Sequence, residues 1–571
     1  MARSLLGLLL GGTFLVLVGC LGLREPRLLP STTPLAFDEV GREAGLSRYR
    51  WRGLRREAKI LTSIGGSVAW GDFDGDGDPD LFFSQGVLHP DRPRFPEDCG
   101  RLLRNEGGRI FEDVTAPSGI RSCGWGMGIL WEDLNDDGNL DLYLTRAGPN
   151  QLWLGGEEGL FHPPADPAGA SGPSDHWSTG VAALDADGDR DLDLYVAGYL
   201  ATTYDRERRL PTFELRLLHE YEAAPDLLLI NQGEGRFRPA EGGISGASPK
   251  RGLTVVAADL DGEAGDDVFV ANDRDRNTLL HNRRDGILED RTVWSGLGLG
   301  LAGEEEAGMG ADLGDPNRDG RPDLVVTNFG GEPANLYLNL GDGLFQDRSR
   351  DWRLFEPTFE WLGWATGVVD LDLDGRLDLF VSNGHLTPGW IAGIILFLDD
   401  RPGVESFLRG SYRQPPLLFH GGPEGFEPDR SLSGLRGVWR GAAAGDYDLD
   451  GRPDLVFYSS DHRTPTLLLH NRSSDRKNHW LQVASGPAGT FRNLELGRAV
   501  ATASEGALLT AFGSSGGGYL AASSLPLQIG LGPRERVDLR LEMANRTLRF
   551  VGLPTDRRVV VPRRSAPPES R

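Results

Sequence analysis

Lysine is nearly missing from this chain: of its 60 basic residues only Lys59, Lys250 and Lys477 are lysine. No basic patch with interleaved aromatics forms anywhere along it, which excludes a nucleic-acid surface. Cysteine is as scarce, with Cys20, Cys99 and Cys123 the only three. There is no Gly-x-Ser-x-Gly elbow, no His-Glu-x-x-His and no phosphate-binding Gly-Lys loop. Hydrolytic and nucleotide chemistry therefore have no motif to stand on. The ten histidines are dispersed. Three of them, His281, His420 and His470, recur at equivalent strand positions, where packing or edge hydrogen bonding accounts for them better than catalysis does.

What the chain has in abundance is one acidic loop. Seven times it reads Asp-x-(Asp/Asn)-x-(Asp/Glu)-x-x-x-Asp and runs directly into an apolar strand. The first copy offers Asp72, Asp74, Asp76, Asp78 and Asp80. The second offers Asp133, Asn135, Asp137 and Asp141, and the third Asp185, Asp187, Asp189 and Asp193. The fourth has Asp259, Asp261, Glu263 and Asp267; the fifth has Asp315, Asn317, Asp319 and Asp323. Asp370, Asp372, Asp374 and Asp378 form the sixth, and Asp446, Asp448, Asp450 and Asp454 the seventh. Setting aside the 26 carboxylates at the four main positions takes the net charge from −24 to +2, so the acidity is local to the loops.

Carboxylates on alternate residues of a tight loop converge on one point, and hard oxygen donors so arranged suit calcium. Positions one, three, five and nine supply side-chain oxygens, and position seven a backbone carbonyl. A glycine at position six permits the sharp turn; it is present as Gly77, Gly138, Gly320, Gly375 and Gly451. Arg190 and Ala264 replace it in the third and fourth loops, which are therefore the weakest sites. An EF-hand is excluded, because Phe83 and Val381 stand where its bidentate glutamate belongs and a strand follows. Clustered carboxylates repel one another without a cation, which makes calcium a folding term as well as a ligand.

Arg3 precedes an apolar stretch from Leu5 to Val18, and Leu17-Val18-Gly19-Cys20 is similar to the bacterial lipobox. On that reading residues 1–20 are a lipoprotein signal peptide and 21–35 a linker. Lipidated Cys20 is then the first mature residue, and several acyl chains give a stable anchor. An uncleaved anchor from Leu5 to Leu23 is the alternative. Both place the body outside the cytoplasm, in the cell envelope. Leu21, in place of a retention aspartate, favours the outer membrane. In that oxidising compartment Cys99 and Cys123 either pair as a disulfide or stay as buried thiols.

Each repeat reads as four short strands. A Gly- and Trp-rich strand enters the loop, as at Gly124-Trp125-Gly126, Trp177, Trp364 and Trp439, and an apolar strand leaves it. A third has the form Asn-x-Leu-Tyr-x-Asn, clearest from Asn335 to Asn339, and a fourth is built on Phe-x-Asp, as at Phe345-Gln-Asp347. Four strands per unit with Gly turns point to propeller blades, and a closed ring leaves no exposed sheet edge. The seventh unit lacks its Phe-x-Asp strand, while a surplus copy stands at Phe37-Asp38-Glu39 before the first. The N-terminal strand, within 36–46, is therefore expected to complete the last blade.

The repeats resemble FG-GAP/VCBS repeats, the kind found in integrin α-subunit propellers. The tail from Asn478-His-Trp480 through Gly516-Gly-Gly518-Tyr519-Leu520 to Leu527-Gln-Ile-Gly530-Leu531-Gly532 is similar to an ASPIC/UnbV domain. Together they resemble bacterial relatives of the cartilage acidic protein family. The resemblance implies an all-β fold: a seven-bladed β-propeller over 36–474, a small C-terminal β domain over 478–562, and a tail over 563–571. Met543-Ala544-Asn545-Arg546 and Gln528-Ile529 depart from the usual Trp-Pro-Ser-Gly and His-Phe, so a binding role at those tail positions is not carried over.

Two insertions interrupt the repeats. One spans 198–224, with Tyr199, Tyr204, Arg206, Arg208, Arg209, Phe213 and Tyr221; the other spans 384–416, with His385, Trp390, the apolar run Ile391 to Leu398, Tyr412 and Arg413. Long propeller loops are partner surfaces or lids, and aromatics with arginine fit a binding face; a solvated excursion or a packed segment is the competing reading. The expectation is a calcium-binding, membrane-anchored interaction or adhesion protein without catalytic activity. Its partner would be an envelope or extracellular protein, or a glycan. The alternative is a carbohydrate-binding or polysaccharide-cleaving propeller.

Overall fold

Strand after strand leaves its acidic loop at the position-nine aspartate and enters the core at once. These are Asp80–Phe83, Asp141–Arg146, Asp193–Leu200, Asp267–Asn272, Asp323–Asn328, Asp378–Asn383 and Asp454–Ser459, buried along nearly their whole length. Runs such as Leu-Phe-Phe and Leu-Val-Val are apolar on both faces, as strands packed between two neighbouring sheets must be. The computed structural model describes residues 35–49, 64–85, 95, 99–107, 110–203, 206–207, 218–263, 265–386, 412–461, 464–473, 477–485, 496–502, 508–520, 526–543 and 546–561. The leader with Cys20, most of the linker, the terminal tail, the bulk of both insertions and Ala264 lie outside the described residues.

The protein is all-β and propeller-like. Each apolar strand pairs antiparallel with the strand that enters its loop and with the third strand that follows, and a short outer strand completes a four-stranded unit, which Ile244–Ser245 and Ser515–Gly516 extend to six strands in the fourth. Seven such units occur in chain order, with first strands Val68–Gly71, Gly126–Glu132, Trp177–Leu184, Gly252–Ala258, Gly308–Gly314, Gly363–Val369 and Trp439–Gly445. The outer strand of the seventh unit comes from the other end of the chain: Phe37 pairs with Asn471, Asp38 with His470 and Glu39 with Leu469. First strands of successive units lie side by side, and those of the seventh and first also touch. Glycine permits that closeness. A Cβ at Gly180 would meet the Val255 nitrogen at 2.8 Å, and one at Gly441 would meet the Gly66 carbonyl at 2.8 Å. The Gly441 N–H donates to that same carbonyl at 2.9 Å.

The tail builds two sheets around one apolar core. His479–Ser485 lies between Leu527–Gly532 and Arg557–Val561; the second sheet runs Leu508–Phe512, Leu496–Thr502, Arg536–Met543, Arg546–Pro554. Leu481, Val483, Leu531, Leu539 and Leu541 fill the space between them. Between the two halves of the tail, residues 515–520 leave it and run among the first strands of the repeats. Ser515 and Gly516 pair with Ala257 and Val256. Ala183 donates to Ser515 Oγ at 2.9 Å, Ala311 to the Gly518 carbonyl at 2.9 Å, and Ile129 to the Leu520 carbonyl at 3.0 Å. The Tyr519 ring is fully buried, edge-on to Trp364 with centroids 4.9 Å apart. This short segment thus reaches units two to six, and Ser67 beside the first strand of unit one also donates to Leu520. Cys99 and Cys123 face each other across an antiparallel bridge, Cα atoms 4.1 Å apart, and are joined as a disulfide.

Candidate metal centres

Each acidic loop closes on its own first aspartate. In five of them the position-six glycine donates its N–H to that carboxylate: Gly77 to Asp72 at 3.1 Å, Gly138 to Asp133 at 2.9 Å, Gly320 to Asp315 at 2.9 Å, Gly375 to Asp370 at 2.7 Å and Gly451 to Asp446 at 3.0 Å. These glycines have φ between +84° and +99°, where a side chain is strained. Arg190 is forced to φ +80° in the third loop. There, and in the fourth loop, the first aspartate is met by the position-four amide instead, Gly188 to Asp185 and Gly262 to Asp259, both at 2.8 Å.

The position-nine aspartate is clamped from two sides. One oxygen accepts the position-two N–H: Phe73 to Asp80 at 3.1 Å, Ala186 to Asp193 at 2.8 Å, Leu371 to Asp378 at 2.8 Å. The other accepts from the third strand: Asn105 to Asp80 at 2.7 Å, Asn339 to Asp323 at 2.8 Å, Asn471 to Asp454 at 2.7 Å. The side chains of those asparagines then reach the loop of the preceding unit. Asn231 donates to the Leu134 carbonyl at 2.7 Å, Asn339 to Leu260 at 2.8 Å, Asn471 to Leu371 at 2.8 Å, and Asn105 to Tyr447 at 2.7 Å. The third-strand motif is therefore a tie between neighbouring loops.

One oxygen from each of Asp72, Asp74 and Asp80 lies within 4.8 Å of the others, and Asp185, Asp187 and Asp193 converge likewise, as do Asp370, Asp372 and Asp374. Position five serves its own turn: Asp76 accepts the Asp78 N–H at 2.9 Å, and Asp189 that of Asp191 at 2.9 Å. The Asp78 carboxylate lies beside Gly107. In loops two and five the neutral Asn135 and Asn317 donate to Asp137 and Asp319, each at 3.0 Å. Asp72 Oδ1, Asp74 Oδ1, Asp323 Oδ2 and Asp446 Oδ1 are buried without a hydrogen-bond partner, a costly state for a carboxylate. Burial, then the charges of Asp76 and Asp74, pushes Asp72 up to about 7. Burial, with Asp319 and Asp315 behind it, pushes Asp323 up to about 8. Orphaned hard oxygens with elevated proton affinity are a donor set that suits a divalent cation.

The FG-GAP-like repeat family matches residues 133–196, 265–326 and 315–381, stretches that contain loops two, three, five and six and the position-nine aspartate of the fourth. Over these three stretches the chain matches FG-GAP-like repeats. It is 25% identical to cartilage acidic protein 1 of Homo sapiens over 364 residues, 62% of this chain and 48% of that protein. With the Xenopus tropicalis protein it shares 27% identity over 311 residues, 53% and 43% of the two chains. The chain thus spans about half the length of the curated relatives it matches. Among solved structures it is similar to an Agrocybe aegerita lectin (TM-score 0.41, 15% identity, 72% of this chain and 91% of that one). A Bacillus licheniformis rhamnogalacturonan lyase gives a TM-score of 0.36 at 12% identity, over 77% and 76% of the chains.

The acidic loops have neighbours that strand patterning alone does not reveal. His281 Nδ1 lies 2.7 Å from Asp261 Oδ2 and 3.2 Å from Asp267 Oδ1; His470 Nδ1 lies 3.5 Å from Asp448 Oδ2 and 3.4 Å from Asp454 Oδ1. His420 is set farther back, Nδ1 3.8 Å from Asp372, and its Nε2 meets Asp429 at 3.2 Å. Their shared position, one residue before the third-strand residue whose N–H meets the position-nine aspartate, was the available signal. The tail caps loops five to seven: Arg498 donates to the Gly320 carbonyl at 2.8 Å, Gly532 to Leu373 at 2.8 Å, Gln482 to Asp446 at 2.8 Å and Gln528 to Gly451 at 3.0 Å.

The described insertion residues correct part of the expectation placed on them. Tyr199 and Tyr221 are buried, donating to Asp273 and Glu207 at 2.8 Å each, so they are packing groups and not a binding face. His385 is buried as well, its ring pushed down to about 4 by burial and then by Arg440. Arg413 pairs with Asp461, and Arg206 alone of the named group is exposed at the surface among the described residues.

Proposed function

We propose that this chain is a calcium-stapled, seven-bladed β-propeller with a small β domain, tethered to the cell envelope through lipidated Cys20, that binds an envelope or extracellular partner and catalyses no reaction. The observation that carries the calcium reading is the set of buried, partnerless carboxylate oxygens inside repeated loops whose backbones are already closed around them. Asp72, Asp74 and Asp80, Asp185, Asp187 and Asp193, and Asp370, Asp372 and Asp374 would hold the ion, which supplies charge neutralisation and no step of any reaction. Seven units that touch first to last, with Phe37–Glu39 in the seventh, support the closed ring.

A binding role is favoured over an axial active site because residues 515–520 already occupy the space between the first strands. The FG-GAP-like repeats and the likeness to cartilage acidic protein 1 support an extracellular interaction protein. Thermal unfolding of the full chain in detergent, with calcium and with chelator, tests the reading. A rise in Tm with calcium is expected; superimposable curves would remove calcium from it.

A further inference from the structure

We propose that loops four and seven take a nitrogen-seeking divalent metal of the zinc class instead of calcium, with His281, Asp261 and Asp267 as donors in one and His470, Asp448 and Asp454 in the other. This rests on the reading that the loops hold cations and departs from it in which cation. Each donor triad brings one imidazole nitrogen and two carboxylate oxygens within 4.8 Å of one another. Calcium takes oxygen ligands, whereas imidazole suits zinc and its transition-metal neighbours.

Third-strand geometry holds the rings in place. The backbone N–H after each histidine is spent on the position-nine aspartate: Asn282 on Asp267 at 3.1 Å and Asn471 on Asp454 at 2.7 Å. The ring one residue earlier is therefore carried over the loop beside that carboxylate. His470 Nδ1 stands 3.5 and 3.4 Å from its two oxygens, close to the ~3.4 Å edge of a tetrahedron with bonds of about 2.1 Å. His281 is nearer, at 2.7 Å from Asp261 and 3.2 Å from Asp267, a hydrogen-bonded geometry that opens by under an ångström to the same edge. Both histidines are buried, with side chains 11% exposed in His281 and 7% in His470.

The other loops provide the contrast. In loops one and three the converging groups are carboxylates alone; in the sixth, where Asp370, Asp372 and Asp374 converge, the His420 Nδ1 stands back at 3.8 Å from Asp372 and 3.9 Å from Asp378, and its Nε2 is held by Asp429 at 3.2 Å. Hence the two loops whose histidine joins the carboxylates in one donor triad select a different ion from the other loops.

The test is zinc titration of the full-length protein in detergent with calcium at saturation, followed by cobalt as a spectroscopic probe. Two zinc ions per chain should bind over calcium, and cobalt should give a visible absorption band of low-coordinate, nitrogen-containing type. The double variant His281→Gln/His470→Gln should lose both zinc ions and the band while keeping its calcium-dependent Tm, and His420→Gln should keep all three. Absence of zinc binding over calcium, or zinc binding indifferent to the double substitution, overturns the proposal and leaves the histidines as hydrogen-bond donors to the carboxylates. If zinc binds as expected but calcium shifts no Tm in the unsubstituted protein, the calcium reading fails and this one stands.

Discussion

The side-chain amide of Asn105 donates to the Tyr447 carbonyl at 2.7 Å, joining residues 342 positions apart in the chain. The same asparagine gives a second N–H to the Pro79 carbonyl at 3.2 Å and its backbone N–H to Asp80 at 2.7 Å. It therefore links the loop of unit one to the loop of unit seven, as Asn231, Asn339 and Asn471 link theirs to the units before them. Asn105→Ala should cost about 1–3 kcal/mol, because two buried carbonyls lose their donor. Asn231→Ala should cost a similar amount. Urea unfolding of the two variants measures this directly; a neutral Asn105→Ala would mean that the first-to-last junction is held by apolar packing alone.

Calcium should stabilise in proportion to the number of loops it fills. At about ten times Kd each filled loop contributes roughly 1.4 kcal/mol if the sites are independent. Asp72→Asn and Asp370→Asn should each remove about one such increment, read as a smaller calcium-dependent shift in Tm. A variant whose shift equals that of the unsubstituted protein would exclude its loop from the set.

Chelated protein should lose stability as pH rises. Burial, with neighbouring charge, lifts Asp446 to about 6, Asp72 and Asp454 to about 7 and Asp323 to about 8 in the folded chain. These values lie above the ordinary 3.8 of an unfolded aspartate, so the folded state holds more protons across the interval and unfolding free energy falls with rising pH. The loss should begin near pH 4, run up to about pH 8 and level off there, and should vanish when a cation replaces the protons. Thermal scans at several pH values, with and without calcium, check both parts. A chelated Tm that climbs over this window would contradict the protonated loops.

Tyr519→Ala should destabilise by about 3–5 kcal/mol, the range for deleting a large buried ring. The ring is fully buried against Trp364, and its segment hydrogen-bonds to the first strands of several units. Tail and repeats should consequently melt in one calorimetric transition in the unsubstituted protein and separate in the variant. Two transitions in both proteins would show that residues 515–520 do not couple the halves.

Reduction should open a link between units one and two. Cys99 and Cys123 are 24 positions apart, a loop whose closure is worth about 3 kcal/mol in chain-entropy terms. Urea midpoints before and after reduction measure it; identical midpoints would leave the bond without a role in stability.

Much of the candidate site was legible because it is local. Asp72 to Asp80 lie within one turn of chain, and glycine at Gly77 declares the left-handed backbone that brings Asp72 onto its amide. Strand pairing of Phe37–Glu39 with Leu469–Asn471 follows from two motif remnants, one missing and one surplus. His281 and His470 were harder to place, since a residue on a strand next to a loop can face its sheet neighbours or the loop, and periodicity does not choose between them. Tyr199 and Tyr221 looked like surface aromatics because an insertion is ordinarily exposed; buried partners at Asp273 and Glu207 turned them inward.

By itself the sequence determined the repeat, its strand order, and the acidic loop with its turn glycines, all set by residues within about a dozen positions of one another. Tertiary structure alone decided that asparagines tie the loops of units one, three, four, five and seven to the one before, that Gly516 to Leu520 run among the first strands, and that two histidines stand over their loops. Those contacts join segments tens to hundreds of residues apart. Such pairs carry no shared local pattern, and they form only when buried donors and acceptors, brought together by packing, must find partners or remain unsatisfied.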